Sequence, residues 1–272
     1  MAIFAKFALQ RGADPIPLLA LRFALAAILL LGFHVATGRS LGSRAGALRM
    51  MLLGGIGYAF ESTLFFEALQ RAPAAVVGLV FYSYPLWTTL MALVVGLEIY
   101  RHRIALALIT GTVGVSLIFS LRSSNVAGPL LALAAAVAVS VYLIVVQKAS
   151  VGLDIFNVAL WTAAGAAISL SVVATATGGM LPHEALPYAA ALGVITALAF
   201  VALYAAIRRI GSSRSSIAMM LEPVTTVVLA AIFLNEALTV RIGLGAALVV
   251  AALPLLASAP AQPLAEERVD LL

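Results

Sequence analysis

Nine runs of predominantly apolar residues follow one another along the chain, at 16–37, 48–69, 74–97, 104–121, 127–147, 155–177, 186–207, 212–234 and 241–258, with only short polar breaks between them. A bilayer core about 30 Å thick takes roughly 20 such residues per α-helix, so each run reads as one membrane crossing. Ahead of them lies AIFAKFAL, too brief to cross alone. Composition agrees: 64% of the residues are hydrophobic and 10% charged, with a mean hydropathy of +1.14, far from the mixed surface of a soluble domain. No stretch outside the runs is long enough to bury a core of its own. The expected fold class is an all-α polytopic membrane protein.

An internal repeat organises the runs. Sliding the chain on itself by 138 positions superposes Arg71 on Arg209, Pro85 on Pro223, Thr88 on Thr226, Glu98 on Glu236 and Arg103 on Arg241 without a gap. One further position upstream lays IPLLAL at 16–21 on IFNVAL at 155–160. The halves meet near Ser123, so the expected organisation is one repeat over 1–122, a second over 123–258, and a Pro/Ala-rich, charged tail over 259–272 that reads as disordered. In this register the partner of the run at 127–147 begins roughly a dozen positions before Met1, so the first helix reads as truncated. A start assigned too late, a trimmed chain or a tolerated half-helix would account for that, in this order of preference. The expected architecture is a ten-helix bundle of two five-helix repeats.

An odd number of crossings per repeat inserts the second half upside down. Charge follows that topology. With the N-terminus inside, ten basic residues lie on inside segments: Arg39, Arg44, Arg49, Arg101, Arg103, Lys148, Arg208, Arg209, Arg214 and Arg268. Four lie outside, namely Arg11, Arg71, Arg122 and Arg241. By the positive-inside rule both termini face the cytoplasm, in a bacterial-type inner membrane. The formal charge of +5 is explained by this orientation rather than by nucleic-acid binding, and no nucleic-acid partner is expected. The absence of cysteine excludes disulfides, thiolate metal sites and cysteine nucleophiles. The N-terminus has no basic region followed by a cleavable apolar stretch, so it does not read as a signal peptide.

Within the runs the ionisable residues are few: Arg22, Glu61, Glu222 and Lys6, with Glu67 nearer an end. Each costs a few kcal/mol if it faces lipid, so each should face the bundle interior, a water-filled cavity or a partner. Pairing that merely holds helices together is the competing reading. Ser215, Met219, Glu222 and Thr226 recur at intervals of three and four, forming one polar stripe. Gly78, Phe81, Tyr84 or Pro85, and Thr88 answer it from the first repeat, and Gly54, Gly57, Glu61 and Phe65 share a third face. Pro85 and Pro223 each free a carbonyl one turn earlier and can kink the helix as hinges or expose backbone acceptors. Tyr84 stands at the repeat position equivalent to Glu222. Glu98 and Glu236 sit at helix ends, where capping or an ion pair with Arg101, Arg103 or Arg241 is expected. The sequence has no HExxH, no GxSxG and no phosphate-binding glycine loop, and its three histidines have no ligand spacing. An enzyme, a metal site and a cofactor are therefore not expected.

YAAIRRIGSSRSSIAMMLEPVTTVVLAAIFLNEAL followed by RIGLGAALVVAALPLL resembles the closing repeat of EamA-type transporters in the drug/metabolite transporter superfamily. The pattern is an AL-R-I helix end, seen here at Ala206 to Ile210, an LEP at Leu221 to Pro223, and a GE helix end, with Asn235 replacing the Gly before Glu236. FFEALQRAPAAVVGLVFYSYPLWTTLMALVVGLE repeats it more loosely. The resemblance implies ten helices in two inverted repeats, a central cavity, and export of metabolites such as amino acids without ATP. The expected function is thus a secondary exporter of a small metabolite, an amino acid or related zwitterion, working by alternating access. Nucleotide-sugar or organic-phosphate exchange is the sister reading, and a non-transporting membrane scaffold the reading from another class. Low dielectric disfavours a charged carboxylate, which suits Glu61 to exchange a proton with the gradient, its glycine neighbours allowing close packing. Glu222, beside a proline kink, is the candidate for the substrate. Small-molecule substrate, lipid bilayer and protons are the expected partners.

Overall fold

The computed structural model describes residues 2–72, 74–118, 126–225, 228 and 240–257. In chain order the helices are α1 (Ala2–Gln10), α2 (Pro15–Thr37), α3 (Arg44–Leu52), α4 (Ala59–Arg71), α5 (Ala74–Phe81), α6 (Tyr84–Val94), α7 (His102–Ile118), α8 (Ala127–Ala149), α9 (Ile155–Thr177), α10 (Leu186–Ala218) and α11 (Val240–Ala257). The chain is an all-α polytopic membrane protein. Five of its described segments are long and apolar enough to cross a bilayer: Pro15–Thr37, Val77–Val94, Ala127–Ala149, Ile155–Thr177 and His183–Ala218. His102–Leu117 and Val240–Leu255 are shorter apolar helices.

The caps make the repeat visible. Asp14 and Asp154 stand in extended conformation before α2 and α9, and left-handed Gly38 (φ 64) and Gly178 (φ 68) end them, the conformation glycine adopts without Cβ strain. Both pairs are 140 positions apart, so in this helix the offset is 140 rather than the 139 that matching IPLLAL to IFNVAL suggests. Each helix has 23 residues, about 34 Å at 1.5 Å per residue, enough to span the hydrocarbon core.

The chain forms two compact units, Met1–Thr63 with Lys148–Ala205, and Leu64–Gln147 with Ala206–Leu272. Each draws on both repeats. In the first unit α2 and α9 run antiparallel. Arg39, just past the end of α2, meets Asp154 at the start of α9 at 3.1 Å. At the other end the Asp14 carboxylate accepts the Met180 N–H at 2.7 Å. Equivalent helices of the two repeats thus lie head to tail, the arrangement inversion demands. A π-helical turn at Leu53–Tyr58 joins α3 to α4, and here the backbone comes closest to α9. A Cβ on Gly54 would lie 2.1 Å from the Thr162 carbonyl oxygen, and one on Gly165 would lie 2.0 Å from that of Met51.

The second unit repeats the logic. Arg241 at the start of α11 donates to the Ser116 carbonyl near the end of α7 at 3.4 Å, so these equivalent helices are antiparallel too. A Cβ on Gly114 would lie 2.7 Å from the Gly245 carbonyl oxygen. Ile104, Ala107, Val115, Ile217, Met220, Val249 and Ala252 form the buried apolar core around that contact.

One expected boundary holds and one changes. The break foreseen between 207 and 212 is present as a kink within Leu186–Ala218: Gly211 is non-helical (φ 80, ψ 167) and separates two helical stretches. The run at 74–97 is not one helix but α5 and α6, separated at Tyr82 and Ser83. The tail at 259–272 and the junction at Ser123 lie outside the described residues.

Gly54→Ala and Gly165→Ala should each lower stability by about 1–3 kcal/mol or more, because backbone, not a movable side chain, stands in the way. At Gly32 and Gly243 a Cβ meets nothing within 4 Å, so alanine there should be neutral or slightly stabilising. Thermal melting of detergent-solubilised variants checks the contrast.

Candidate functional site

Both repeats break a helix before a proline. Pro85 has no N–H to give to the carbonyl four residues earlier, so α5 stops at Phe81. The Tyr82 N–H bonds Gly78 at 2.8 Å, and the Ser83 N–H and hydroxyl both bond the Val80 carbonyl, at 3.2 and 2.6 Å. Pro223 does the same in the second repeat. The Met220 N–H turns back to Ile217 at 3.0 Å and the Glu222 N–H to Met219 at 2.9 Å, after which the backbone is helical at 221–225. The expected kinks therefore exist at both prolines, which are themselves buried.

These breaks gather polar and aromatic groups in the second unit. The Tyr82 hydroxyl donates to the Glu222 carboxylate. The rings of Phe65 and Phe81 lie 4.6 Å apart, Phe81 and Tyr84 5.4 Å, and Tyr82 and Tyr84 6.3 Å. Tyr84 is 2% exposed, and its hydroxyl donates to the Ser216 carbonyl at 3.4 Å. Its own carbonyl lies 2.9 Å from the hydroxyls of both Thr88 and Ser140, which are 3.1 Å from each other. Glu222, by contrast, is exposed on the protein surface. A carboxylate inside a membrane-spanning helix cannot face hydrocarbon without cost, so a polar surrounding is favoured for it. Tyr84, Thr88, Pro85, Pro223 and Glu222 are thus brought together, while Thr226 lies outside the described residues. Of the stripe on the second broken helix, Ser215 is buried and does not share the open position of Glu222.

Arg22 and Glu61 belong to the first unit. Arg22 is half-buried, donates from Nε to the Thr196 hydroxyl at 2.7 Å, and holds its guanidinium carbon 4.8 Å from the Phe23 ring centre. Phe23, Tyr58 and Phe200 pack with centroids 5.0 to 5.9 Å apart. Glu61 is buried, follows the π-helical turn, and accepts from the Ser62 hydroxyl at 3.2 Å. The side chain of Lys6 lies outside the described residues. Glu67 pairs with Arg71 one turn on.

Glu98 meets a partner that was not foreseen. Its carboxylate lies 3.4 Å from Arg214 Nε, with side chains 2% and 4% exposed respectively. Arg214 is therefore buried within the protein rather than exposed in a loop. Sequence reasoning also passed over Tyr82, hidden by its neighbour Tyr84, and Ser140, an ordinary residue in an apolar helix. It set aside His34, which is buried between the Leu30 carbonyl and Asn157, each at 2.8 Å. Its position within an apolar span was the available signal. Among the described residues no group of three or more His, Asp or Glu is placed to hold a metal.

The comparisons with other proteins agree with this architecture. The chain matches the EamA-like transporter family over residues 1–120 and 126–258. It belongs to that family. Members of the EamA-like family are transporters rather than enzymes, which brings with it a small-molecule substrate and a multi-pass membrane setting. One solved crystal structure superposes with a TM-score of 0.79 at 22% identity, covering 91% of this chain and 90% of that one. At that identity the likeness is one of fold. No curated protein matches the chain at a significant level.

The two hydrogen-bonded groups at the breaks differ in burial, and this predicts an order of effects. Ser140→Ala removes a hydroxyl from a fully buried network and should cost about 1–3 kcal/mol. Tyr82→Phe keeps the ring contacts and removes one hydrogen bond from an exposed carboxylate, so it should cost about 1 kcal/mol or less. Melting temperatures in detergent check the order, and a larger loss for Tyr82→Phe would contradict it.

Proposed function

We propose that this EamA-family chain is a secondary transporter that exports a small metabolite, an amino acid or related zwitterion, by alternating access. The observation that carries the reading is Glu222: an exposed carboxylate at a helix break, held by Tyr82 and bordered by Tyr84, inside a segment that otherwise avoids charge. An amine is the natural partner for it, with ring faces nearby to attract the same cation. The prolines act as hinges, since each helix break leaves short, separately movable pieces. Glu61, buried beside the π-helical turn, is the proton carrier, and π turns in helices accompany functional sites. Nucleotide-sugar exchange finds less support, because phosphate wants several intramembrane cations and Arg214 is already matched by Glu98.

Both termini lie in the cytoplasm on this reading. With Arg214 discounted, the bias of basic residues is nine against four. Contacts within the first unit group the segments as that orientation needs: Arg39 and Arg49 meet Asp154 and the Ala149 carbonyl at one end, and Asp14 and Arg11 meet Met180 and Tyr188 at the other.

Two measurements test the proposal. In proteoliposomes screened with radiolabelled amino acids, Glu222→Gln should weaken substrate binding by roughly 10- to 100-fold, the contribution of a charge-assisted hydrogen bond. Glu61→Gln should abolish transport driven by a pH gradient while keeping exchange. Unchanged transport per folded molecule in both variants would refute these roles. For orientation, His183→Cys on the cysteine-free chain should react with an impermeant maleimide from the periplasmic side, and reaction from the cytoplasmic side alone would invert the assignment.

A further inference from the structure

The residues that follow Gly211 are buried on every side. Arg208 to Ile210 are exposed, yet Ser212, Ser213, Arg214, Ser215 and Ser216 are between 0% and 3% exposed. Five consecutive polar residues, one of them charged, are thus withdrawn from both lipid and water directly after an exposed, doubly basic turn. The backbone changes course at the same point, through the non-helical Gly211. The helical hydrogen bond lost there is replaced from another helix, where the Gln147 side-chain oxygen accepts the Ser212 N–H at 2.7 Å. Thr89 and Ser213 share one hydroxyl contact at 3.0 Å. Glu98 closes the cluster against Arg214.

The hydroxyls of Ser212 and Ser215 are nevertheless buried without a hydrogen-bond partner. In a site that stayed dry, alanine would fill the same volume without unmet polar atoms, and an apolar pair would be as stable as the ion pair. Unmet hydroxyls beside a buried ion pair and a backbone break fit a segment that is dry in one state and wet in another. Every cross-helix bond named here is one that water can replace.

We infer that Glu98 and Arg214 form a closed gate within the second unit, and that separating them admits water to the serine-lined turn after Gly211. The inference deepens the transport reading, which supplies what would pass the gate, but water access is measured without any substrate. Its failure and the failure of the transport roles are therefore distinguishable.

The cysteine-free chain makes the test direct. Ser215→Cys, a near-isosteric change, is reconstituted in proteoliposomes and exposed to a membrane-impermeant maleimide, with labelling after SDS denaturation as the full scale. With the ion pair intact, labelling should be slow. In the background Glu98→Gln with Arg214→Gln, which keeps the polar shapes and removes both charges, the rate should rise at least tenfold. The exchanged pair Glu98→Arg with Arg214→Glu should restore protection. If the neutral pair does not yield folded protein, Glu98→Asp keeps both charges and draws the carboxylate back, and should raise labelling at least threefold. Protection unchanged in whichever of these variants folds overturns the gate. So does a Ser215→Cys chain with the pair intact that labels as fast as a cysteine at exposed Arg208.

Discussion

Helices in a bilayer gain little from burying apolar side chains against one another, since lipid is as apolar as leucine, so close backbone approach has to hold them together. Here that approach is made at glycines that face a neighbouring carbonyl: Gly54 on Thr162, Gly165 on Met51 and Gly114 on Gly245. Each contact is too tight for even a methyl group. The inverted repeat is what makes the arrangement available twice. α2 against α9 and α7 against α11 are pairs of equivalent helices lying head to tail, closed at their ends by Arg39–Asp154, Asp14–Met180 and Arg241–Ser116. With the frames fixed in this way, the remaining helices can depart from regularity.

That freedom is used at the prolines. Backbone groups beside a helix break are tolerated at membrane depth only where protein or water satisfies them. Around Pro85, Ser83 and the Tyr82 N–H turn back onto the preceding helix, and Ser140 and Thr88 meet the Tyr84 carbonyl. Around Pro223 the N–H groups of Met220 and Glu222 do the same. The consequence for chemistry is positional. A broken helix presents successive residues in directions an intact one could not, so Tyr84 is sealed inside while Tyr82, two residues earlier, reaches Glu222.

The spans, the repeat and both kinks were legible in the sequence because each rests on local physics: apolar length, an ungapped register, and a residue without an N–H. The close approach at Gly54 was legible for the same reason, as three glycines precede an intramembrane carboxylate. Partners distant along the chain were not. Nothing near Glu98 names Arg214, and the nearby arginines at 101 and 103 offered a simpler pairing. The break between Arg208 and Ser212 was legible from charge, glycine and serine together, but not that the helical stretch after Gly211 carries Arg214 inward to Glu98. Between Tyr82 and Tyr84 the sequence favoured the one in register with Glu222. The turn before Pro85 decides the matter, and its exact geometry depends on side chains from other helices.

The polar groups of the two units are managed differently, and this bears on where the chemistry lies. In the first unit they are largely closed pairs: His34 with Asn157, Arg22 with Thr196, Arg39 with Asp154. In the second, Glu222 is held by Tyr82 yet exposed, and the hydroxyls of Ser212 and Ser215 are buried without a hydrogen-bond partner. Closed pairs resist exchange with water because opening them exposes groups already satisfied, so they favour a single arrangement. Exposed and unmet groups have something to gain from a ligand or from hydration, and such a gain is what allows binding to shift a population between states. On the proposed transport reading, the groups that would respond to a substrate are those in the helices broken by Pro85 and Pro223 and in the turn after Gly211, whose backbones are already interrupted.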